Sequence, residues 1–370
     1  MRLDWRFFAI APSIWISSLC YSIFRIEPYT ICSYGCIYCY ARWYRSGIIV
    51  NKRTILKAWR KLAFKLYKLD LPPPYFRLST LIEPFQEHLE RKQQISLEIM
   101  QEAIKCEIPL VINTKSTLLV ESPWIDKLLA LTDKGLALVQ ISLTTVNQRL
   151  SKELEPKAPD PRKRLKVIEE LREHDIPVVT RIQPLIPGIE MQQLDAAKEA
   201  LNHGSLGIIV EPIRETVSGL EKIAKAIGIT FSEYFSKYRW EPYTFSPKQG
   251  GLLRPGLDWR KNMYRRLKDL TLQFGREMTL CKDGVWTKYS HPGLDCCQTW
   301  HIKAQYAIRK TLHEYISRLQ KGGSSVYLIK ENEFVRYPRF VKRALMLHHN
   351  KLRRVLETRD ILVKLVVYDR

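Results

Sequence analysis

Cys32-Ser33-Tyr34-Gly35-Cys36-Ile37-Tyr38-Cys39-Tyr40-Ala41-Arg42 is the stretch on which the reading of the chain turns. Its C-x3-C-x2-C spacing puts three thiols on one tight loop, enough to hold three irons of a cubane [4Fe–4S] cluster and one short of filling it. Clusters that only carry electrons usually have four cysteine ligands. An open fourth iron implies that something other than protein completes it. Tetrahedral structural zinc would take a fourth Cys or His, commonly from a second paired knuckle, and no such partner adjoins the loop. A disulfide leaves one thiol over and suits an oxidising compartment. The spacing alone leaves these readings open, since short cysteine motifs recur by chance.

The 370 residues have room for one large α/β domain with an appendage, or for two ordinary domains. A net charge of +22 predicts attraction to polyanions, nucleic acid first, with strong salt dependence; an acidic membrane surface is the rival. No apolar run is long enough to span a bilayer. Phe7 to Cys20 is apolar and follows Arg2 and Arg6, as in a short signal peptide, but it contains Pro12 and runs into Tyr21-Ser22-Ile23-Phe24, which reads as a strand feeding the cysteine loop. An oxygen-sensitive cluster, and eight cysteines without a framework spacing, suit a reducing cytoplasm.

Downstream, Ile55 to Leu69 reads as an amphipathic helix whose Lys57, Arg60, Lys61, Lys65 and Lys68 form a solvated face, ended by Pro72-Pro73-Pro74. Strand-like and helix-like segments then alternate. The strands are expected at 75–79, 109–113, 136–143, 176–182 and 206–210, with helices at 95–105, 123–131, 162–174 and 192–201. Such alternation indicates βαβ units and a parallel sheet. With the strand before the cysteine loop there are about six units, too few for an eight-fold barrel. In such barrels chemistry sits at the C-terminal strand ends, here Ser79 to Pro84, Asn113 to Ser116, Ser142 to Thr145, Arg181 to Pro184 and Glu211-Pro212.

The cysteine loop resembles that of the radical S-adenosylmethionine (SAM) superfamily, known for a partial six-fold barrel. The resemblance narrows over roughly residues 20 to 215. It rests on Pro28-Tyr29, the Cys-Tyr-Ala-Arg end of the loop, Ile112-Asn113-Thr114-Lys115-Ser116, Gln140 to Thr145, Leu154-Glu155-Pro156-Lys157-Ala158-Pro159, Arg164-Leu165 and Ile182-Gln183-Pro184-Leu185-Ile186-Pro187-Gly188. Together these are similar to the spore photoproduct lyase-like branch, also called DNA repair photolyase-like. The resemblance implies a cluster on Cys32, Cys36 and Cys39 whose open iron is chelated by SAM, and reductive cleavage to a 5′-deoxyadenosyl radical. It further implies Lys115 as a cation for the SAM carboxylate, Ser142 as a partner of the same amino-acid moiety, Tyr38 flanking the adenine, Ile186 packed on its ring, and Arg181 as a second cation. An electron donor such as a ferredoxin or flavodoxin follows as a partner. The sequence departs from this branch in one place: Ser79 stands where its hydrogen-donating cysteine is expected. A hydroxyl is a far poorer hydrogen-atom donor than a thiol.

The expected fold is therefore α/β: a partial, six-stranded parallel (β/α)6 TIM-type barrel over 1–240, with a basic, mostly helical extension over 241–370. In the extension Cys281, Cys296 and Cys297, with His291 and His301 nearby, form a candidate auxiliary cluster or zinc site, or a redox-active thiol group. Cys20 and Cys106 read as core thiols. Residues 301–370 hold 16 basic against 6 acidic residues, a balance of +10. Arg336-Tyr337-Pro338-Arg339-Phe340-Val341-Lys342-Arg343 and Lys351-Leu352-Arg353-Arg354 interleave cations with apolar and aromatic residues, as a phosphate-neutralising, base-stacking surface would. The leading functional expectation is a radical SAM enzyme acting on DNA or RNA. The alternatives are radical chemistry on a peptide or small metabolite, and a nucleic-acid-binding protein with a structural or redox-sensing cluster.

Overall fold

Seven parallel strands form one sheet in the order β1-β2-β3-β4-β5-β6-β9 in a computed structural model that describes residues 7–43, 51–243, 251–285, 295–320 and 332–365. The strands are β1 (Arg25–Ile26), β2 (Phe76–Leu78), β3 (Leu110–Thr114), β4 (Ala137–Ser142), β5 (Val178–Leu185), β6 (Gly207–Pro212) and β9 (Glu277–Leu280). A small antiparallel ribbon, β7 (Glu241–Pro242) with β8 (Leu253–Arg254), lies outside it. Five of the seven strands, β2 to β6, fall close to where the βα alternation puts them. The first is displaced: Tyr21–Phe24 leads in, and Arg25–Ile26 pairs with β2. The seventh, β9, pairs with β6 and comes from the region beyond residue 240.

Successive residues of a strand face opposite ways, and the alternation here has a chemical sense. Val111, Leu138, Val179 and Ile209 pack together inside the barrel, while Ile112, Val139, Ile208 and Val210 belong to the core beneath the outer helices. Two residues further along the strands, Asn113, Gln140, Arg181 and Glu211 occupy the next level up. An apolar layer thus lies under a polar one. That polar layer is the floor of the site.

The chain beyond β9 returns to plug the barrel at the strand-start end. Gln140 Nε2 donates to the Cys297 carbonyl at 2.7 Å, Thr279 Oγ1 to the Cys296 carbonyl at 2.9 Å, and Gln298 Nε2 to the Ile208 carbonyl at 3.0 Å. Gly207 permits this approach, because a Cβ there would lie 2.2 Å from Gln298 Oε1. Outside, the basic helix Lys52–Tyr67 buries Ile55, Trp59, Leu62 and Leu66 and leaves Lys57, Arg60, Lys61, Lys65 and Lys68 exposed, as its periodicity implies. The apolar segment near the N-terminus is core: helix Ile14–Leu19 packs on helix Arg339–Leu356, where His348 bridges Ser17 Oγ at 3.0 Å and the Ile10 carbonyl at 2.8 Å.

The C-terminal aromatics do not present a stacking surface. Phe340 packs edge-on to Phe8, 6.3 Å between ring centres, and Tyr337 donates to the Pro72 carbonyl at 2.9 Å. They anchor the helix to the strand-start side and leave Arg336, Arg339, Arg343, Arg353 and Arg354 exposed. Among the described residues no helix is long and apolar enough to cross a membrane.

Candidate active site at the barrel mouth

The cysteine loop is held over the C-terminal strand ends by its own backbone. Gly35 turns it with φ +64°, a left-handed conformation that favours glycine. Ile37 N–H donates to the Leu154 carbonyl at 3.0 Å, Lys157 N–H to the Tyr34 carbonyl at 3.2 Å, and Ser33 N–H to Gln86 Oε1 at 2.7 Å. The three thiols are thereby turned into one cavity, whose walls include Cys32, Cys36, Cys39, Tyr38, Tyr40, Ser79, Lys115, Ser142 and Arg181. Burial pushes the Cys36 thiol up to about 12 and raises Cys32 as well. A metal must displace those protons.

Among the described residues these three are not part of any trio with ligand atoms within 4.8 Å of one another. One tetrahedral zinc, with Zn–S of about 2.3 Å, would draw thiolates to roughly 3.8 Å apart. The three are therefore not gathered about a single ion, and three thiols on one cavity wall are the donor set that an iron–sulfur cluster takes.

Lys115 is built into the wall by a buried network. Its Nζ lies 3.1 Å from Glu155 Oε1 and 3.2 Å from the Tyr38 hydroxyl, and Arg164 takes the other Glu155 oxygen. Burial raises the Glu155 carboxyl, but Arg164 and Lys115 outweigh it and hold the group well below the usual carboxylate range. One carboxylate between two cations leaves a net positive charge, suited to an anion in the cavity. Glu83 positions the same lysine from its backbone side, accepting from Lys115 N–H at 2.8 Å.

The floor is a continuous polar belt. Arg77 Nε donates to Asn113 Oδ1 at 3.0 Å, Asn113 Nδ2 to Gln140 Oε1 at 2.5 Å, and Arg181 Nη1 to the same oxygen at 2.8 Å. Arg181 Nε continues to Gln183 Oε1 at 2.8 Å, and Gln183 donates to Glu211. Arg214 and Lys282 close on Glu211 at 3.0 and 2.9 Å. Burial opposes ionisation of Glu211, but Lys282 and Arg214 hold it down at about 2. Four cations, Arg77, Lys115, Arg181 and Arg214, line the cavity against two carboxylates, Glu83 and Glu211.

Of the site residues expected from sequence, the three cysteines, Tyr38, Lys115, Ser142 and Arg181 meet in this cavity. Ile186 does not reach its wall; it is fully buried in an apolar cluster with Tyr38, Leu154 and Ile213, and Ile213 lines the cavity instead. Ser79 does line it, its hydroxyl donating to buried Glu27. Sequence reading gave no role to Arg77, Arg214, Lys282 or the Glu155–Arg164 pair. The signal of Arg77, Arg214 and Lys282 was one charged residue in a strand or just past it, and that of Glu155 and Arg164 one charged residue at a helix end or within a helix, which surface positions share.

Cys281, Cys296 and Cys297 are buried and come together. His301 does not join them. Burial and the nearby Arg276 and Arg172 hold it neutral, down at about 4. His291 lies outside the described residues.

Residues 26–201 match the family model described as the Radical SAM superfamily. A curated relative, the uncharacterized protein ORF301 of Acidianus two-tailed virus, is 24% identical over 172 residues, covering 42% of this chain. The chain spans about half, 54%, of that protein. Among solved structures, spore photoproduct lyase complexed with dinucleoside spore photoproduct superposes with a TM-score of 0.53 at 14% identity, covering 70% of this chain and 76% of the other. A mutant of that lyase with bound AdoMet and dinucleoside spore photoproduct gives 0.54 at 13%, covering 76% and 80%. These likenesses establish the shared fold.

Proposed function

We propose that this chain, which carries a radical SAM domain over residues 26–201 and is an enzyme, holds a [4Fe–4S] cluster on Cys32, Cys36 and Cys39 and acts on nucleic acid at the barrel mouth. The observation that carries the reading is the convergence of three thiols from one loop on a cavity whose walls bear four cations. When bound, cluster and SAM together supply reductive cleavage of the sulfonium and, from it, hydrogen-atom abstraction.

The chain's own residues account for the rest. Lys115, kept in place by Glu155, Tyr38 and the Glu83-anchored backbone, offers its ammonium to the SAM carboxylate, and Ser142 offers a hydroxyl beside it. Arg181, Arg77 and Arg214 are tied into the belt and already desolvated, so meeting a phosphate requires little reordering. Ser79 puts a hydroxyl where the resembling lyases are expected to have a thiol. The reaction is therefore assigned as lesion repair or modification of a base or sugar without the lyase's hydrogen return from that position. A net charge of +22 supports a polyanionic substrate, a low-potential donor such as a ferredoxin or flavodoxin would supply the electron, and a reducing cytoplasm suits the cluster.

The test is anaerobic reconstitution with iron and sulfide, then dithionite and SAM, assaying 5′-deoxyadenosine with and without DNA or RNA. Formation that Cys36→Ala abolishes and one polymer stimulates is expected. Turnover indifferent to both polymers would move the substrate to a peptide or metabolite. An intact reduced cluster without turnover would leave a cluster-bearing binding protein.

A further inference from the structure

Beneath the belt lies a second group of soft ligands from three parts of the chain. Asp295, Cys296 and Cys297 are consecutive and buried, and their ligand atoms lie within 4.8 Å of one another. Cys281, the first residue past β9, is not one of that trio; its thiol lies beside that of Cys296. Cys20, before β1, is near Cys281 and Cys297.

We propose that Cys281, Cys296, Cys297 and Asp295 form a zinc site, built independently of the Cys32–Cys36–Cys39 loop.

Four observations support it. The ligand atoms of Asp295, Cys296 and Cys297 already lie within 4.8 Å of one another, near the roughly 3.8 Å between thiolates that one tetrahedral ion imposes; Cys281 lies outside that separation and would close in from beside Cys296 to complete four-coordination. This contrasts with the wider trio at the mouth. The carboxylate is oriented by its surroundings as metal-bound carboxylates are: it accepts from the Tyr75 hydroxyl, from Cys297 N–H at 2.7 Å and from Thr299 Oγ1 at 3.2 Å. Three buried thiolates and a carboxylate exceed the charge of one dication, and Arg77 and Lys282 stand beside the thiols to offset the excess. The ligands also lie where β9 and the plug already meet, through Thr279 Oγ1 on the Cys296 carbonyl at 2.9 Å and Gln298 Nε2 on Thr279 Oγ1 at 3.2 Å.

Binding exchanges thiol protons for the ion: each S–H loses its proton to solvent and forms an S–Zn bond, with no change of oxidation state. Because the Cys297 carbonyl accepts from Gln140, whose side-chain oxygen holds Arg181 and Asn113, the ion would fix the plug that supports the active-site floor.

The experiment uses the full chain carrying Cys32→Ala, Cys36→Ala and Cys39→Ala, so that the mouth takes no metal and the result is independent of the cluster reading. The anaerobic protein is titrated with Co2+ and then with Zn2+. One cobalt per chain is expected, with tetrahedral visible bands, near-ultraviolet charge-transfer absorption for three thiolates, and displacement by one equivalent of zinc. Adding Cys281→Ser and Cys296→Ser should weaken cobalt binding by about 100-fold or more, while Cys106→Ser leaves it unchanged. Absence of the bands, charge-transfer intensity for fewer than two thiolates, or binding that survives the double substitution would overturn the site. So would a Cys281–Cys296 disulfide in the anaerobic protein, or iron with inorganic sulfide on the triple variant. If the double variant does not fold, the spectrum of the triple variant decides alone.

Discussion

Glu155 lies between two cations, its Oε1 3.1 Å from the Lys115 ammonium and its other oxygen on the Arg164 guanidinium. Neither Glu155 nor Arg164 is more than 1% exposed in its side chain. Glu155→Gln leaves a buried guanidinium without its counter-charge, an arrangement that costs about 3–5 kcal/mol. Denaturant unfolding should show that loss at pH 7. The depressed carboxyl puts the wild-type contribution fully in place above the ordinary carboxylate range. It persists as pH falls to about 4.5 and fades only below that.

Lys115→Met is expected to behave differently, since Glu155 retains Arg164. Stability should change little, while SAM affinity by equilibrium dialysis on the reconstituted protein should fall by about 10- to 100-fold, the worth of a charge-assisted contact. Unchanged affinity would remove Lys115 from the cofactor site.

His348 provides a pH handle far from the mouth. Burial, reinforced by Arg309, pushes its imidazole down to about 3, whereas an unfolded histidine titrates near 6.5. Below that value the unfolded chain takes the proton first. Stability should therefore decline from pH 6.5 towards 3, by up to about 1.4 kcal/mol per unit from this residue. Melting temperatures between pH 6.5 and 5, before most carboxylates titrate, should fall more steeply for the wild type than for His348→Gln.

Gly207→Ala should uncouple the plug. The new methyl would meet Gln298 Oε1 and, at 2.8 Å, the Glu277 carbonyl, and overpacking of this kind costs about 1–3 kcal/mol. Calorimetry of this variant and of Gln298→Ala should show a smaller further loss when the two are combined than their sum, since they disturb one contact.

Polynucleotide binding should separate the two basic regions. Arg353→Gln with Arg354→Gln, on the exposed C-terminal helix, should lower affinity and reduce the slope against log salt by no more than about 2. Polymer stimulation of 5′-deoxyadenosine formation should survive. Arg214→Gln, at the mouth, should abolish stimulation while changing bulk affinity little.

The barrel was legible because its βα units alternate apolar strands with amphipathic helices, and the shared cavity of the three cysteines because they are neighbours in sequence. β9 was hidden for the opposite reason. It is four residues long, and the helix before it, Leu257–Gln273, buries Arg260 and Thr271 among Met263, Tyr264 and Leu267, which blurs the apolar stripe. Arg260 is satisfied by Asp283 at 2.6 Å, a partner 23 residues away. Of the belt, the sequence placed Asn113, Arg181, Gln183 and Glu211 at chemistry-bearing strand ends, but that they form one chain with Arg77 and Gln140 appears only when the strands are side by side. The lysine at 115 was found through resemblance; Glu155, which makes it effective, needed the fold.

The plug described above makes the barrel a blind well. With Cys296 and Cys297 seated under Gln140 and Thr279, a strand cannot be threaded through the barrel and out at the strand starts, as a processive enzyme with a through-channel would allow. Whatever is to react must be pushed in from one side and withdrawn by the same route. For the proposed polynucleotide substrate, that geometry admits one protruding unit at a time.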